Sequence, residues 1–177
     1  MPSSSDSSIG NRESGVKSSR WTLRLAALVI VLGVMLAYAN SLKGPFVFDD
    51  MKGIVHNESI RSLWPLSEVL SPPQLATGAG GRPIVNLSLA INYAIGGMDV
   101  RGYHAFNMLI HALSALLLFG LVRRTMKRPI LRETYGDSSL PLAFTVAILW
   151  ALHPLLTESV TGIIQRTESL GGLFYLL

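Results

Sequence analysis

At 177 residues the chain has room for one domain, and 49% hydrophobic against 15% charged residues leaves it well short of the roughly 25% charge of ordinary soluble domains. A mean hydropathy of +0.41 assigns it to the membrane. The formal charge of +4 does not make it a nucleic-acid binder, because Lys and Arg cluster at set distances from apolar runs, as topology requires. With no cysteine, disulfides, thiolate zinc sites and cysteine nucleophiles are excluded.

Residues 1–20 are rich in Ser with Gly, Asp, Asn, Arg and Lys, and without apolar periodicity they read as a disordered cytoplasmic tail. From Trp21 to Ala39 only Thr22 and Arg24 interrupt an apolar run of about 19 residues, roughly 28 Å as a helix, the first expected transmembrane span. A cleavable signal peptide is the competing reading, with Ala37-Tyr38-Ala39 as its small-residue site. Lys17, Arg20 and Arg24 flank the start of the run and place the N-terminus in the cytoplasm, which leaves residues 40–102 as an outer loop.

In that loop Gly78, Gly80 and Gly81 lack the preceding strand and the spacing of a nucleotide loop, and read as a flexible connector. Asn57-Glu58-Ser59 and Asn86-Leu87-Ser88 match glycosylation acceptors. Ile84 to Gly97 is apolar over about 14 residues, too short to cross easily, so an interfacial or re-entrant helix is expected, with Arg82, Asn86, Leu89 and Tyr93 on one side.

Tyr103 to Val122 is the second span, closed by Arg123, Arg124, Lys127, Arg128 and Arg132, a basic loop that again marks the cytoplasm. His104, Asn107, His111 and Ser114 share one face of it, and in hydrocarbon such a face looks into a bundle or a wet cavity. The two imidazoles lie about 10 Å apart along the axis, too far to share an ion unaided. Interhelical hydrogen bonds are the main expectation, with ligand contact or a metal as alternatives.

A third, short span runs from Leu140 to about Leu155, with Trp150 near its outer end and a break at His153-Pro154. Thr157 to Glu168 reads as an amphipathic helix on the bilayer surface, Glu158, Thr161, Gln165 and Glu168 opposing Val160, Ile163 and Ile164. An apolar run restarts at Ser169 and reaches about 14 Å by Leu177, under half a bilayer, so a fragment or truncated reading frame is expected. The expected fold class is all-α integral membrane: spans at about 21–39, 103–122 and 140–155, a truncated fourth from 169, and interfacial helices in the outer loops. Residues 21–177 then form one partial membrane domain.

This topology gathers Asp49, Asp50, Glu158 and Glu168 with Arg61, Arg82, Arg166, His56 and His153 on one side of the bilayer. A lipid-linked phosphosugar needs apolar helices for its tail, Arg or His for its phosphate, and a carboxylate to take the proton of an attacking hydroxyl. All three are present, although charges at headgroup level are equally normal on a protein without catalysis.

Asn40-Ser41-Leu42-Lys43-Gly44-Pro45-Phe46-Val47-Phe48-Asp49-Asp50, followed by Ile54 and Asn57, resembles the first outer loop of the transmembrane and tetratricopeptide-repeat O-mannosyltransferases and their bacterial relatives, within the GT-C class. Two further stretches look like the same family: Gly81-Arg82-Pro83 through Asn92-Tyr93 and Gly102-Tyr103-His104 with Asn107 and His111, then His153-Pro154-Leu155 with Thr157-Glu158-Ser159-Val160, Ile164, Arg166 and Glu168. The resemblance runs from about Trp21 to the last residue. It favours a retained first helix.

The resemblance implies a polyprenyl-phosphate-linked sugar as donor, often mannose, a protein hydroxyl as acceptor, and catalysis at the acidic pair, with no nucleic acid involved. In extended backbone Asp49 and Asp50 point to opposite faces, so one of them enters the pocket. Asp49 is the expected general base and Asp50 positions it or a cation. Arg82, His153 and Arg166 are candidates for the donor phosphate, and Glu158 for sugar hydroxyls or for holding Arg166; a structural ion pair or helix cap is the alternative for each. No residue is assigned to a metal and no cofactor is required, a divalent cation being left open. A bacterial inner membrane is expected ahead of the endoplasmic reticulum.

The family has many more spans and a C-terminal tetratricopeptide array, so the chain reads as the N-terminal portion of a glycosyltransferase that uses a polyprenyl-phosphate sugar. A non-catalytic membrane protein or remnant with a packing or assembly role is the chief rival. A metal-handling protein built on His56, His104, His111 and His153 is the third.

Overall fold

The computed structural model describes residues 6–73 and 78–177, residues 6–19 as backbone alone. Among the described residues there is no strand, and the helices are α1 (Asp6–Tyr38), α2 (Leu66–Val69), α3 (Pro83–Gly96), α4 (Val100–Met126), α5 (Pro129–Tyr135), α6 (Ser139–Ala151), α7 (Thr157–Thr161) and α8 (Arg166–Leu176). Arg20–Lys43 and Val100–Met126 are long and apolar enough to cross a bilayer, while Ser139–Ala151 and Pro154–Thr161 make a third span only as a pair bent by 51°. The protein is an all-α membrane protein, with two long apolar helices and a third, bent candidate span. α1 starts at Asp6, inside the stretch expected as a disordered tail, of which residues 1–5 lie outside the described residues.

α4 is the axis of the bundle and packs against α1, α6 and α8. Its ends are written in the sequence. Asp99 caps the start, its carboxylate accepting the Arg101 amide at 3.0 Å, and Arg123 and Arg124 lie in the last turn, where cations favour the helix dipole. On α6 the fully buried Ala143, Ala147 and Ala151 recur every fourth residue, in one cluster with Ala112 and Ala115 of α4. Small side chains let two backbones approach closely, which is how helices associate where lipid offers no hydrophobic drive. The opposite faces, Leu25, Leu28, Leu32 and Leu36 on α1 and Leu142, Val146 and Leu149 on α6, are exposed. In a bilayer such faces meet lipid or a further apolar helix.

α6 ends at Ala151, earlier than the predicted 155, because Pro154 forces His153 into extended backbone (ψ 131°). Two donors converge on the carbonyl this end leaves open: Tyr38 Oη of α1 at 3.1 Å and His111 Nε2 of α4 at 2.8 Å. A carbonyl can only accept, so Nε2 carries the proton. His104 Nε2 likewise donates to Gly44 O at 3.1 Å, which ties the first loop to α4. The polar face of α4 therefore serves hydrogen bonding between elements, with His104, Asn107, His111 and Ser114 all buried.

A second core lies under the outer loop, where Ile54, Ile60, Val69 and Ala79 pack with Val85, Leu89 and Ala90 of α3 and with Tyr103, Ile163 and Ile164. α3 starts with Pro83 at its first turn and ends before Gly97 at φ +58°, close to its predicted bounds.

Three expectations are corrected here. The single amphipathic helix over 157–168 is two helices separated at Gly162–Gln165, because Gly162 turns into extended backbone (ψ 118°) and the turn after it is held by side chains from elsewhere. The described end of the glycine connector is docked rather than free: Ala79 is buried, and Thr167 Oγ1 donates to Gly78 O at 2.7 Å. Both glycosylation motifs are occluded, since Asn57 and Asn86 are buried and bond to each other at 2.9 Å.

Candidate active site

The first loop descends from α1 and is pinned at Phe46, whose ring meets Tyr103 of α4 edge-on at 5.6 Å. Phe48 then takes a left-handed conformation, φ +47°, with its side chain 92% exposed. A non-glycine residue there costs energy and persists where the surroundings fix it, most often at functional loops. The reversal at Phe48 separates the two acids that follow.

Asp50 is buried and fully engaged: Oδ1 accepts the Ile164 amide at 2.9 Å and Oδ2 the Val47 amide at 3.1 Å. Asp49 is exposed and makes no hydrogen bond or ion pair among the described residues. It opens onto a cavity of about 360 Å³ lined by Val47, Phe48, Asp49, Asp50, Glu158, Thr161, Gly162, Ile164 and Gln165. That size lies within the range of small-molecule sites, which is about 300–1,000 Å³. Glu158 faces the same space, also without a partner among the described residues.

The far wall is the turn between α7 and α8, and α4 holds it. Asn107, fully buried two turns into α4, donates through Nδ2 to the carbonyls of Gly162 at 3.0 Å and Ile163 at 3.2 Å. Its Oδ1 accepts Arg166 Nε at 2.8 Å. Gly162 is required here, since a β-carbon would stand 2.9 Å from Glu158 O.

Arg166 is fully buried, bonding through its guanidinium to Asn107, Ser88 Oγ at 3.3 Å and Tyr103 O at 3.0 Å, and lying 4.6 Å over the Phe106 ring. Every one of these partners is neutral. Burial pulls its pKa well below the usual arginine value, to about 9, partly offset by Tyr103, so it stays protonated at neutral pH.

Of the residues the sequence singled out, the cavity brings together Asp49, Asp50 and Glu158, and not the three cations. Arg166 points into the seam of α3 and α4. Arg82 is exposed, bonding to Gly78 O at 3.1 Å, and exposed His153 caps the turn of Pro154–Leu156 by accepting the Leu155 amide at 3.3 Å. Glu158 does not hold Arg166. Among the described residues no three His, Asp or Glu side chains gather to hold a metal, so a divalent cation would need most of its ligands from substrate and water.

No protein-family model and no solved structure matches the chain. Curated proteins do. The chain is 33% identical over 86% of its length to Protein O-mannosyl-transferase Tmtc1 of Drosophila melanogaster, and 33% identical over 86% to Protein O-mannosyl-transferase TMTC4 of Homo sapiens. Protein O-mannosyl-transferase TMTC2 of Mus musculus is 33% identical over 82% of the chain. The chain belongs to the TMTC protein O-mannosyl-transferase family. It spans 17% of the fly TMTC relative and 22% of the human one, about a fifth of each. These TMTC relatives come from animals and give no support to the expected bacterial inner membrane.

Sequence reasoning placed Asn107 on a polar face without finding its partners, and passed over Thr161 and Gln165 as cavity-lining residues. The signal for Asn107 was present: a carboxamide within an apolar helix has to be satisfied, and the turn after α7 supplies the carbonyls.

Proposed function

We propose that this chain forms the portion of a membrane protein O-mannosyl-transferase that carries the general base, with Asp49 in that role. Asp49 takes the proton of a protein hydroxyl as its oxygen forms the bond to the anomeric carbon of mannose. The bond from that carbon to the phosphate oxygen of a polyprenyl-phosphate donor breaks, and the electron pair leaves with the phosphate. The observation that carries this reading is the division of labour in the acidic pair: Asp50 is consumed by two backbone amides, while Asp49 stands unpaired at the cavity. A base must keep its lone pair available within reach of the proton it removes. Glu158 and Gln165 are placed to accept and donate hydrogen bonds to sugar hydroxyls.

The site lies at the Asn107 end of α4, about 24 Å along the helix from Arg123. With the basic loop in the cytoplasm, the N-terminus is cytoplasmic and the cavity opens on the opposite side of the bilayer. The apolar faces of α1 and α6 would carry the polyprenyl tail.

One observation favours a non-catalytic assembly role: among the described residues no cation lines the cavity to receive a phosphate. A single experiment separates the readings. Mannosyl transfer from polyprenyl-phosphate mannose is measured in membranes expressing the complete protein, with and without Asp49→Asn. A fall of at least about 100-fold at unchanged protein level supports the base; transfer at the parental rate sinks it.

A further inference from the structure

We infer that Asn107 and Arg166 are positioning residues that set the catalytic loop from inside the membrane bundle, an inference that rests on the reading of Asp49 as the base. An asparagine amide can face either way, and its two ends are chemically opposite. Arg166 settles the choice. Its Nε–H donates to Asn107 Oδ1 at 2.8 Å, so the Nδ2 donors are turned toward the carbonyls of Gly162 and Ile163. With those carbonyls drawn toward α4, the next peptide presents the Ile164 N–H to Asp50. Asp50 in turn accepts Val47 N–H and closes the 47–50 turn, whose exposed acid is Asp49. The chain of contacts therefore runs Arg166, Asn107, the 162–165 turn, Asp50, Asp49, and each link is a hydrogen bond or a peptide neighbour in the sequence.

Two features make this more than helix packing. Arg166 is a fully buried cation with only neutral partners, and a side chain serving stability alone would be replaced at little cost by an apolar one of similar volume. Asn107 spends every polar atom of its side chain on this one turn and on Arg166, none on another span. Thr125, which donates to Leu121 O within α4 at the opposite end of the helix, serves as the control.

The test uses the complete protein in native membranes and reads carboxylate accessibility with a water-soluble carbodiimide, located by mass spectrometry, alongside transfer kinetics. Asn107→Asp keeps the acceptor for Arg166 and removes the donors to the turn. It is expected to raise labelling of Asp50 at least about tenfold and to lower kcat while KM for the donor stays within about threefold; Thr125→Ala leaves both unchanged. Arg166→Lys, which keeps the charge and lacks Nε, is read in the same way if Asn107→Asp fails to accumulate. Asp50 that stays protected in an accumulated variant overturns the inference whatever transfer shows. Asp49→Asn, run in parallel, separates the parent reading: full transfer with it overturns the catalytic assignment whatever the labelling shows.

Discussion

Asp50 accepts the amide of Ile164 at 2.9 Å across 114 positions of sequence. Its neighbour Asp49 makes no such bond, so the two acids should fail differently. Asp49→Asn is expected to remove transfer while leaving the thermal midpoint in place. Asp50→Asn replaces one acceptor oxygen by a donor and sets it against a buried N–H, which costs about 1–3 kcal/mol and lowers that midpoint. Thermal unfolding of both variants in detergent, beside the transfer assay, distinguishes them.

The two glycosylation motifs make a prediction by their burial. Asn57 donates to Asn86 Oδ1 at 2.9 Å, and Asn86 donates to Ser59 Oγ at 2.9 Å and Val69 O at 2.8 Å. No oligosaccharide should be found on either asparagine of the folded protein, even on the lumenal side. Glycosidase digestion followed by gel mobility checks this. Asn86→Ala, which strands several partners at once, should cost about 2–4 kcal/mol.

Gly78 combines φ +79° with a β-carbon position that would collide with the Ile164 side chain. Gly78→Ala should therefore destabilise by about 1–3 kcal/mol, with strain and overpacking acting together. In Gly78→Ala with Ile164→Ala the collision is gone, and the double variant should lose less stability than the sum of the singles. Denaturation of all three proteins measures the coupling.

Arg166 gives the pH dependence. Its folded pKa of about 9 lies below the usual arginine value of the unfolded chain, so above about pH 9 the unfolded chain binds more protons and stability rises with pH. Below pH 9 the buried charge opposes folding in full. Thermal midpoints taken from pH 7 to 10 should show the parent gaining on Arg166→Met as pH rises; parallel curves would refute the assignment.

Much of this architecture was legible in the sequence because hydropathy and backbone chemistry act locally. The long apolar runs, Pro83 at the start of α3, Asp99 before α4 and Pro154 after α6 each fix an element without outside help. The unequal fates of Asp49 and Asp50 were expected from alternation along an extended strand, but the backbone is helical at both, Asp50 having φ −59° and ψ −32°. What divides them is the turn at Phe48 and an amide far away in sequence that consumes Asp50. The break at Gly162 was hidden for the same reason: Val160, Ile163 and Ile164 fit one helical stripe, and the side chains that hold the turn open come from α4 and from the first loop. Arg166 looked like a phosphate ligand because charge is visible in a sequence and burial is not.

α6 holds 13 residues, so it rises about 20 Å against a hydrocarbon layer of about 30 Å. Beyond Ala151 the chain tilts away by 51° instead of continuing outward. A bilayer meeting so short a wall thins beside it or admits water there. The missing height, about 10 Å, falls on the side of α7 and the cavity, where a bent pair rather than one straight helix has to cross the layer.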